Sequence, residues 1–144
     1  MNKAEKYCSE SEQCRSSVKD KLAGWGADRE LATRIVDYLV DNEFIDEARY
    51  CRIFCESKLH LQKWGRVKMN YQLRMKQIER SLIDEALNNL DEAQYRETLL
   101  QLAQSKMLTI KDADPRKKQS KLVSYLASHG FTADEINDTI EKLQ

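Results

Sequence analysis

Between positions 58 and 80 the sequence places Lys58, Lys63, Arg66, Lys68, Arg74, Lys76 and Arg80 against a single acid, Glu79, with Trp64 and Tyr71 set among them. Ammonium and guanidinium groups bind phosphate oxygens or carboxylates, and an aromatic face takes a base or a cation. The chemistry this block could do is recognition of an anionic partner, either a nucleic-acid strand or an acidic protein surface. A bland reading competes with it: the charges could coat a solvated helix, and Trp64 could anchor a core. On a helix Arg66, Asn70 and Arg74 form one polar wedge, and Lys68, Gln72 and Lys76 form another.

No arrangement for bond-breaking chemistry accompanies the block. The sequence holds no glycine-rich phosphate loop, no nucleophile elbow and no His-Glu-x-x-His. Cys8, Cys14, Cys51 and Cys55 include no C-x-x-C pair. Cys51 and Cys55 fall four apart, on one helical face beside Tyr50 and Phe54, which suits reduced core thiols better than a zinc or redox site. His129 precedes Gly130 at an expected helix end, where a surface imidazole is favoured by the dipole, and His60 is expected to face solvent. The acid pairs Asp46/Glu47 and Asp84/Glu85 sit at helix ends or on exposed faces. The expectation is a protein that is not an enzyme, with no catalytic residue, no metal and no cofactor.

The elements that must position the block are helices. One proline and four glycines in 144 residues are too few for an all-β chain, which turns every few residues. Asp46-Glu47-Ala48-Arg49-Tyr50 recurs as Asp91-Glu92-Ala93-Gln94-Tyr95, and a longer alignment anchors on Leu22, Leu73 and Leu126. Four residues on stand Gly26, Gln77 and Gly130, and five on stand Ala27, Ile78 and Phe131. Fourteen on come Val36, Leu87 and Ile140, and seventeen on come Leu39, Leu90 and Leu143.

The pattern describes a helix, a tight turn and a second helix. Gly130 supplies the left-handed stop, and Thr132 with Glu135 reads as a capping box. Gly26 and Asp28 do the same work in the first copy, where Leu31, Ile35, Val36, Leu39 and Val40 share a broad apolar face. The middle copy has Gln77 at the stop. Tyr7, Tyr50 and Tyr95 each mark an additional helix at the start of a unit, and Asp112, Asp114 and Pro115 mark a helix end and restart. Val67, Met69, Tyr71, Leu73 and Met75 alternate with polar residues like a strand, yet the repeat requires a helix there, with two apolar faces gripped from both sides. The fold expected is all-α: three tandem three-helix, helix-turn-helix-like repeats at 1–44, 45–90 and 91–144, forming an elongated, curved array.

The charges then resolve along the chain. Twenty-four basic and 24 acidic residues give a net charge of zero, which by itself argues against a polyanionic partner. Residues 1–47 carry 7 basic and 11 acidic side chains, whereas 58–80 carry 7 basic and 1 acidic. Residues 81–114 are again acidic, and Arg116, Lys117, Lys118 and Lys121 bunch at a helix start, where they oppose the macrodipole and favour an external anion. No apolar run approaches the ~18 residues of a membrane span and the first residues lack a signal-peptide core, so a soluble, cytoplasmic protein is expected.

Phe44-Ile45-Asp46-Glu47-Ala48-Arg49-Tyr50, then Lys58, then Lys63-Trp64-Gly65-Arg66-Val67-Lys68, resembles the signature of the bacterial RecX regulatory proteins. Met75-Lys76-Gln77-Ile78 fills the family's Lys-Gly-Ile element with glutamine for glycine, and Cys51 stands where the family usually has alanine. The resemblance implies tandem three-helix repeats that bind the RecA recombinase filament on single-stranded DNA. It also implies that they modulate, usually inhibit, strand exchange, ATPase and coprotease activities in DNA repair, recombination and the SOS response. It implies structural roles for Ile45, Asp46, Arg49, Tyr50 and Gly65, and partner contact through Lys58, Lys63, Trp64, Arg66, Lys68, Arg74 and Lys76. DNA would be met mainly through RecA, by a monomer. The competing readings are a free-standing helix-turn-helix-like DNA-binding module and a helical adaptor for another protein.

Overall fold

The computed structural model of the chain describes residues 2–144. Among these residues there are nine helices and no strand. They are α1 (Asn2–Glu10), α2 (Arg15–Gly24), α3 (Arg29–Asp41), α4 (Glu47–Gln62), α5 (Arg66–Met75), α6 (Arg80–Asn88), α7 (Glu92–Met107), α8 (Pro115–Ser128) and α9 (Ala133–Leu143). The fold is all-α and repeats a helical pattern in tandem, as the sequence indicates. No described helix is long and apolar enough to cross a membrane.

The aligned positions are the ones that build the turns. Gly26 (φ 94°), Gln77 (φ 62°) and Gly130 (φ 97°) each end a helix in the left-handed conformation. Each donates its amide to the carbonyl three residues back: Gly26 to Ala23 (3.0 Å), Gln77 to Arg74 (2.9 Å) and Gly130 to Ala127 (3.0 Å). In the outer copies the next amide reaches the anchor leucine itself, Ala27 to Leu22 at 3.0 Å and Phe131 to Leu126 at 3.4 Å, which satisfies carbonyls the helix end would leave open. The following helices are capped by side chains. Asp28 accepts from the Leu31 amide, and Thr132 and Glu135 form the reciprocal box. Asp114 caps α8 with Pro115 in its first turn.

Packing groups the chain into two compact units, one of Met1–Phe54 with Gln72–Ala86, the other of Cys55–Tyr71 with Leu87–Gln144. Repetition along the chain and packing therefore divide it differently, because α4, α5 and α6 each contribute to both units. In the first unit Val18, Leu22, Val36, Leu39 and Ile45 form the core with Ala4, Cys8 and Ala32. Leu31, expected on the apolar face of α3, is 48% exposed, since Ala32 takes the inward position beside it. In the second unit Tyr95, Leu99, Leu122, Leu126 and Ile136 are buried. All four cysteines are buried and unbridged, and burial pushes the Cys51 thiol up to about 11, so they behave as core thiols.

The expectation for α5 is corrected in one respect. It is a helix, with Met69 and Leu73 fully buried. Val67, Tyr71 and Met75, expected to form a second gripped face, are 53%, 60% and 65% exposed. The period-two pattern arises because one face packs and the other is an unburied apolar stripe.

Candidate functional site

The sequence-selected residues fall into two groups. Lys58, Lys63, Trp64, Gly65, Arg66 and Lys68 lie in the second unit, at the end of α4 and the start of α5. Arg74 and Lys76, at the end of α5, belong to the first unit with Ile45, Asp46, Arg49 and Tyr50.

Trp64 and the lysines form one cluster. Lys63 takes a left-handed backbone (φ 58°), which turns the chain out of α4, and its ammonium donates to the His60 carbonyl at 2.7 Å. The Trp64 amide closes the turn on the Lys58 carbonyl at 3.1 Å. The ammonium of Lys58 lies 4.7 Å from the centre of the Trp64 ring, and that of Lys68 lies 4.8 Å from it. A half-buried indole thus holds two cations near its surface, an attraction that fixes the side chains without removing their charge. This cluster can meet phosphate or carboxylate.

Arg66 stands apart from that cluster in role. The sequence puts it on an exposed wedge; in the structure its side chain is only 24% exposed. Its guanidinium lies 4.0 Å from the centre of the Tyr95 ring, with Nη2 2.8 Å from Glu92, Nη1 3.7 Å from Glu135, and Nε donating to the Leu87 carbonyl at 3.1 Å. The hydrogen bonds from Arg66, then those from Arg96, hold the Glu92 carboxyl below the usual range. The Tyr95 hydroxyl accepts from the Arg66 amide at 3.0 Å and donates to Glu135 at 3.2 Å, and burial holds the phenol well above its ordinary pKa. Arg66 is an internal clamp.

The backbone beside it closely approaches the turn after α8. The Gly65 amide donates to the His129 carbonyl at 2.7 Å, and the Val67 amide to the Gly130 carbonyl at 3.0 Å. A Cβ on Gly65 would sit 2.4 Å from the Gly130 oxygen, and one on Gly130 would sit 2.4 Å from the Lys68 Cβ. Two glycines are needed because two backbones touch. His129, expected as a surface imidazole, is half-buried with Nδ1 3.1 Å from the Lys63 carbonyl. His60 is exposed as expected and lies beside Gln94.

The first unit repeats this joint in different chemistry. Arg15 opens α2 as Arg66 opens α5; its amide donates to Glu47 at 3.0 Å and its Nε lies 4.0 Å from the same carboxylate. The Ser16 hydroxyl donates to the Lys76 carbonyl at 2.7 Å, so Lys76 contributes its backbone here. Arg74 is exposed in the last turn of α5. Ile45 is buried, and Asp46 caps α4 by accepting from the Arg49 amide at 3.1 Å. Arg49 pairs with Glu12 and reaches the Glu43 carbonyl at 3.3 Å, while Tyr50 stacks on Phe54 at 5.9 Å. The recurring Asp-Glu-Ala-x-Tyr run therefore caps a helix with its aspartate and meets an arginine at a helix start with its glutamate. Glu92, Tyr95 and Glu135 are contacts of Arg66 that spacing around the basic block did not single out. The recurrence of Asp91–Tyr95 and the capping box of Glu135 were the signals that marked them.

Profiles described as RecX, second three-helix domain, and RecX, third three-helix domain, match residues 46–87 and 92–140. A "Regulatory protein RecX" of Clostridium tetani is 32% identical over 140 residues, covering 96% of this chain and 64% of the relative. One from Clostridium botulinum (strain Alaska E43) is 33% identical over 127 residues, covering 87% and 59%. The chain spans less than two thirds of the length of these relatives. Among solved structures, the crystal structure of RecX from Lactobacillus salivarius has a TM-score of 0.86 at 24% identity, covering 99% of this chain and 92% of that one. It shares the fold. On the profile matches, the chain belongs to the RecX family.

Proposed function

From membership of the RecX family as the premise, we propose that this protein is a regulator that binds the RecA filament on single-stranded DNA and inhibits its recombinase, ATPase and coprotease activities. It acts as a monomer in the cytoplasm, meets DNA mainly through RecA, and catalyses nothing itself. In this reading the three helical repeats are 1–44, 45–90 and 91–144. The observation that carries it is the coincidence of the family's second-domain match with a block of 7 basic and 1 acidic residues in a chain whose remaining residues are net acidic. Lys58, Lys63 and Lys68 around Trp64 supply the contacts, with Arg74 and Lys76 as further cations. Arg66, fastened to Glu92 and Glu135, supports the surface from beneath.

The experiment is a titration of the protein against RecA assembled on single-stranded DNA with ATP, following ATP hydrolysis and joint-molecule formation. Inhibition at stoichiometric ratios is expected, and no effect there would reject the reading. A control with bare DNA separates a free-standing DNA-binding module. That alternative requires tight binding without RecA that weakens with salt in proportion to the phosphates contacted.

A further inference from the structure

A cavity of about 580 Å³ opens in the second unit between the end of α7, the connection after it and α8. Its wall carries Lys106, Lys111 and Lys121, the hydroxyls of Ser120 and Ser124 one helical turn apart, and Tyr125; no carboxylate is among the lining residues. None of these belongs to the Lys58–Trp64–Lys68 cluster.

The charge balance in the wall is uneven. Lys121 meets Asp112 at 3.2 Å, which offsets one lysine. Lys106 lies over the Tyr125 ring at 4.5 Å, a contact that orients its ammonium without neutralising it. Lys111 is exposed at the rim. The first turn of α8 adds Arg116, Lys117 and Lys118 and contains no acid, although cations there are opposed by the helix dipole. Three cations thus outnumber the one capping carboxylate, Asp114, at the start of α8, beside a concave wall that carries hydroxyl groups. The Tyr125 ring is already engaged by Lys106 and by His129 at 4.6 Å, so recognition falls to ammonium and hydroxyl groups rather than to base stacking.

We propose that this pocket binds a phosphate group of a polyanionic ligand, through Lys106, Lys111, Ser120 and Ser124. The phosphate has two sources with the same chemistry, a free polyphosphate or the backbone of a nucleic-acid strand. The site goes beyond the RecA reading, and its failure would leave the RecA titration untouched.

The test uses the full chain with inorganic pyrophosphate in one arm and a short oligothymidylate in the other, at moderate salt, following amide NMR shifts along α8. The expected result is a saturable shift of Ser120, Lys121 and Ser124 in at least one arm. Lys111→Glu and Ser124→Asp should each weaken it about tenfold, the loss of one charge-assisted hydrogen bond. A response to pyrophosphate assigns a free polyphosphate; a response to the strand alone assigns a backbone. No saturable shift in either arm, or shifts that both variants leave unchanged, would overturn the proposal.

Discussion

Arg66 shows how a charged residue in a basic block can serve the fold. Its four partners come from α6, α7 and α9, and Glu135 is itself only 12% exposed. Arg66→Ala should therefore cost about 2–3 kcal/mol, read as a lower midpoint in urea unfolding, because it removes the bonds to Glu92 and the Leu87 carbonyl and the nearby positive charge from Glu135. Gly65→Ala should lower stability by about 1–3 kcal/mol in the same measurement, since the added methyl overlaps the Gly130 carbonyl. Acid should weaken the same place. Glu92 titrates below its unfolded range, so it stabilises the native state above about pH 4.3 and that contribution is lost as pH falls through its lower folded pKa. The Arg66→Ala variant should show a shallower loss of stability between about pH 5 and pH 3 than the parent. Equal slopes in the two proteins would remove Glu92 from the account.

At the level of elements, the turns were legible in the sequence and the joints were not. Leu22, Leu73 and Leu126 with their followers describe a helix stop that is written in local chain geometry, so spacing alone could find it. Gln77 confirms the reading: it adopts φ 62° where the other copies have glycine. Gln77→Gly should accordingly stabilise the protein by about 0.5–1 kcal/mol in thermal unfolding, relief of left-handed strain outweighing the added chain entropy. An unchanged or lowered midpoint would mean that Gln77 earns its position by contacts. The joints were hidden because Arg66 and its acids stand 26 and 69 positions apart, and Arg15 and Glu47 stand 32 apart. Spacing shows which residues share a helix face; it does not show which faces meet. The exposed side of α5 was misread for the same reason, since Val67 and Tyr71 have the pattern of buried residues and no neighbour that buries them.

For the whole molecule, a neutral total conceals unlike regions. The basic block was legible as a cluster, and packing then sorted it by contact: Lys58 and Lys68 lie over the partly exposed Trp64 ring, whereas the arginine among them is bonded to Glu92 and Leu87. Lys58→Glu with Lys68→Glu should abolish inhibition of the RecA filament while shifting the melting temperature by only a few degrees, because each loses a partly exposed cation–π contact of about 1 kcal/mol. Retained inhibition would move the partner surface elsewhere on the chain. On the proposed function the sequence signature mixes both duties, which is why a motif match alone would not separate docking residues from residues that hold the dock in shape.

The start of α5 carries one further consequence. The first amides of a helix normally have no partner within it and exchange their hydrogens with solvent quickly. Here those of Gly65, Arg66 and Val67 donate to His129, Tyr95 and Gly130, residues far along the chain. Their exchange rates therefore report whether that contact is closed, independently of whether α5 is helical. Slow exchange at these three positions, lost ahead of that at Leu73, would time the opening of the joint and distinguish it from unfolding.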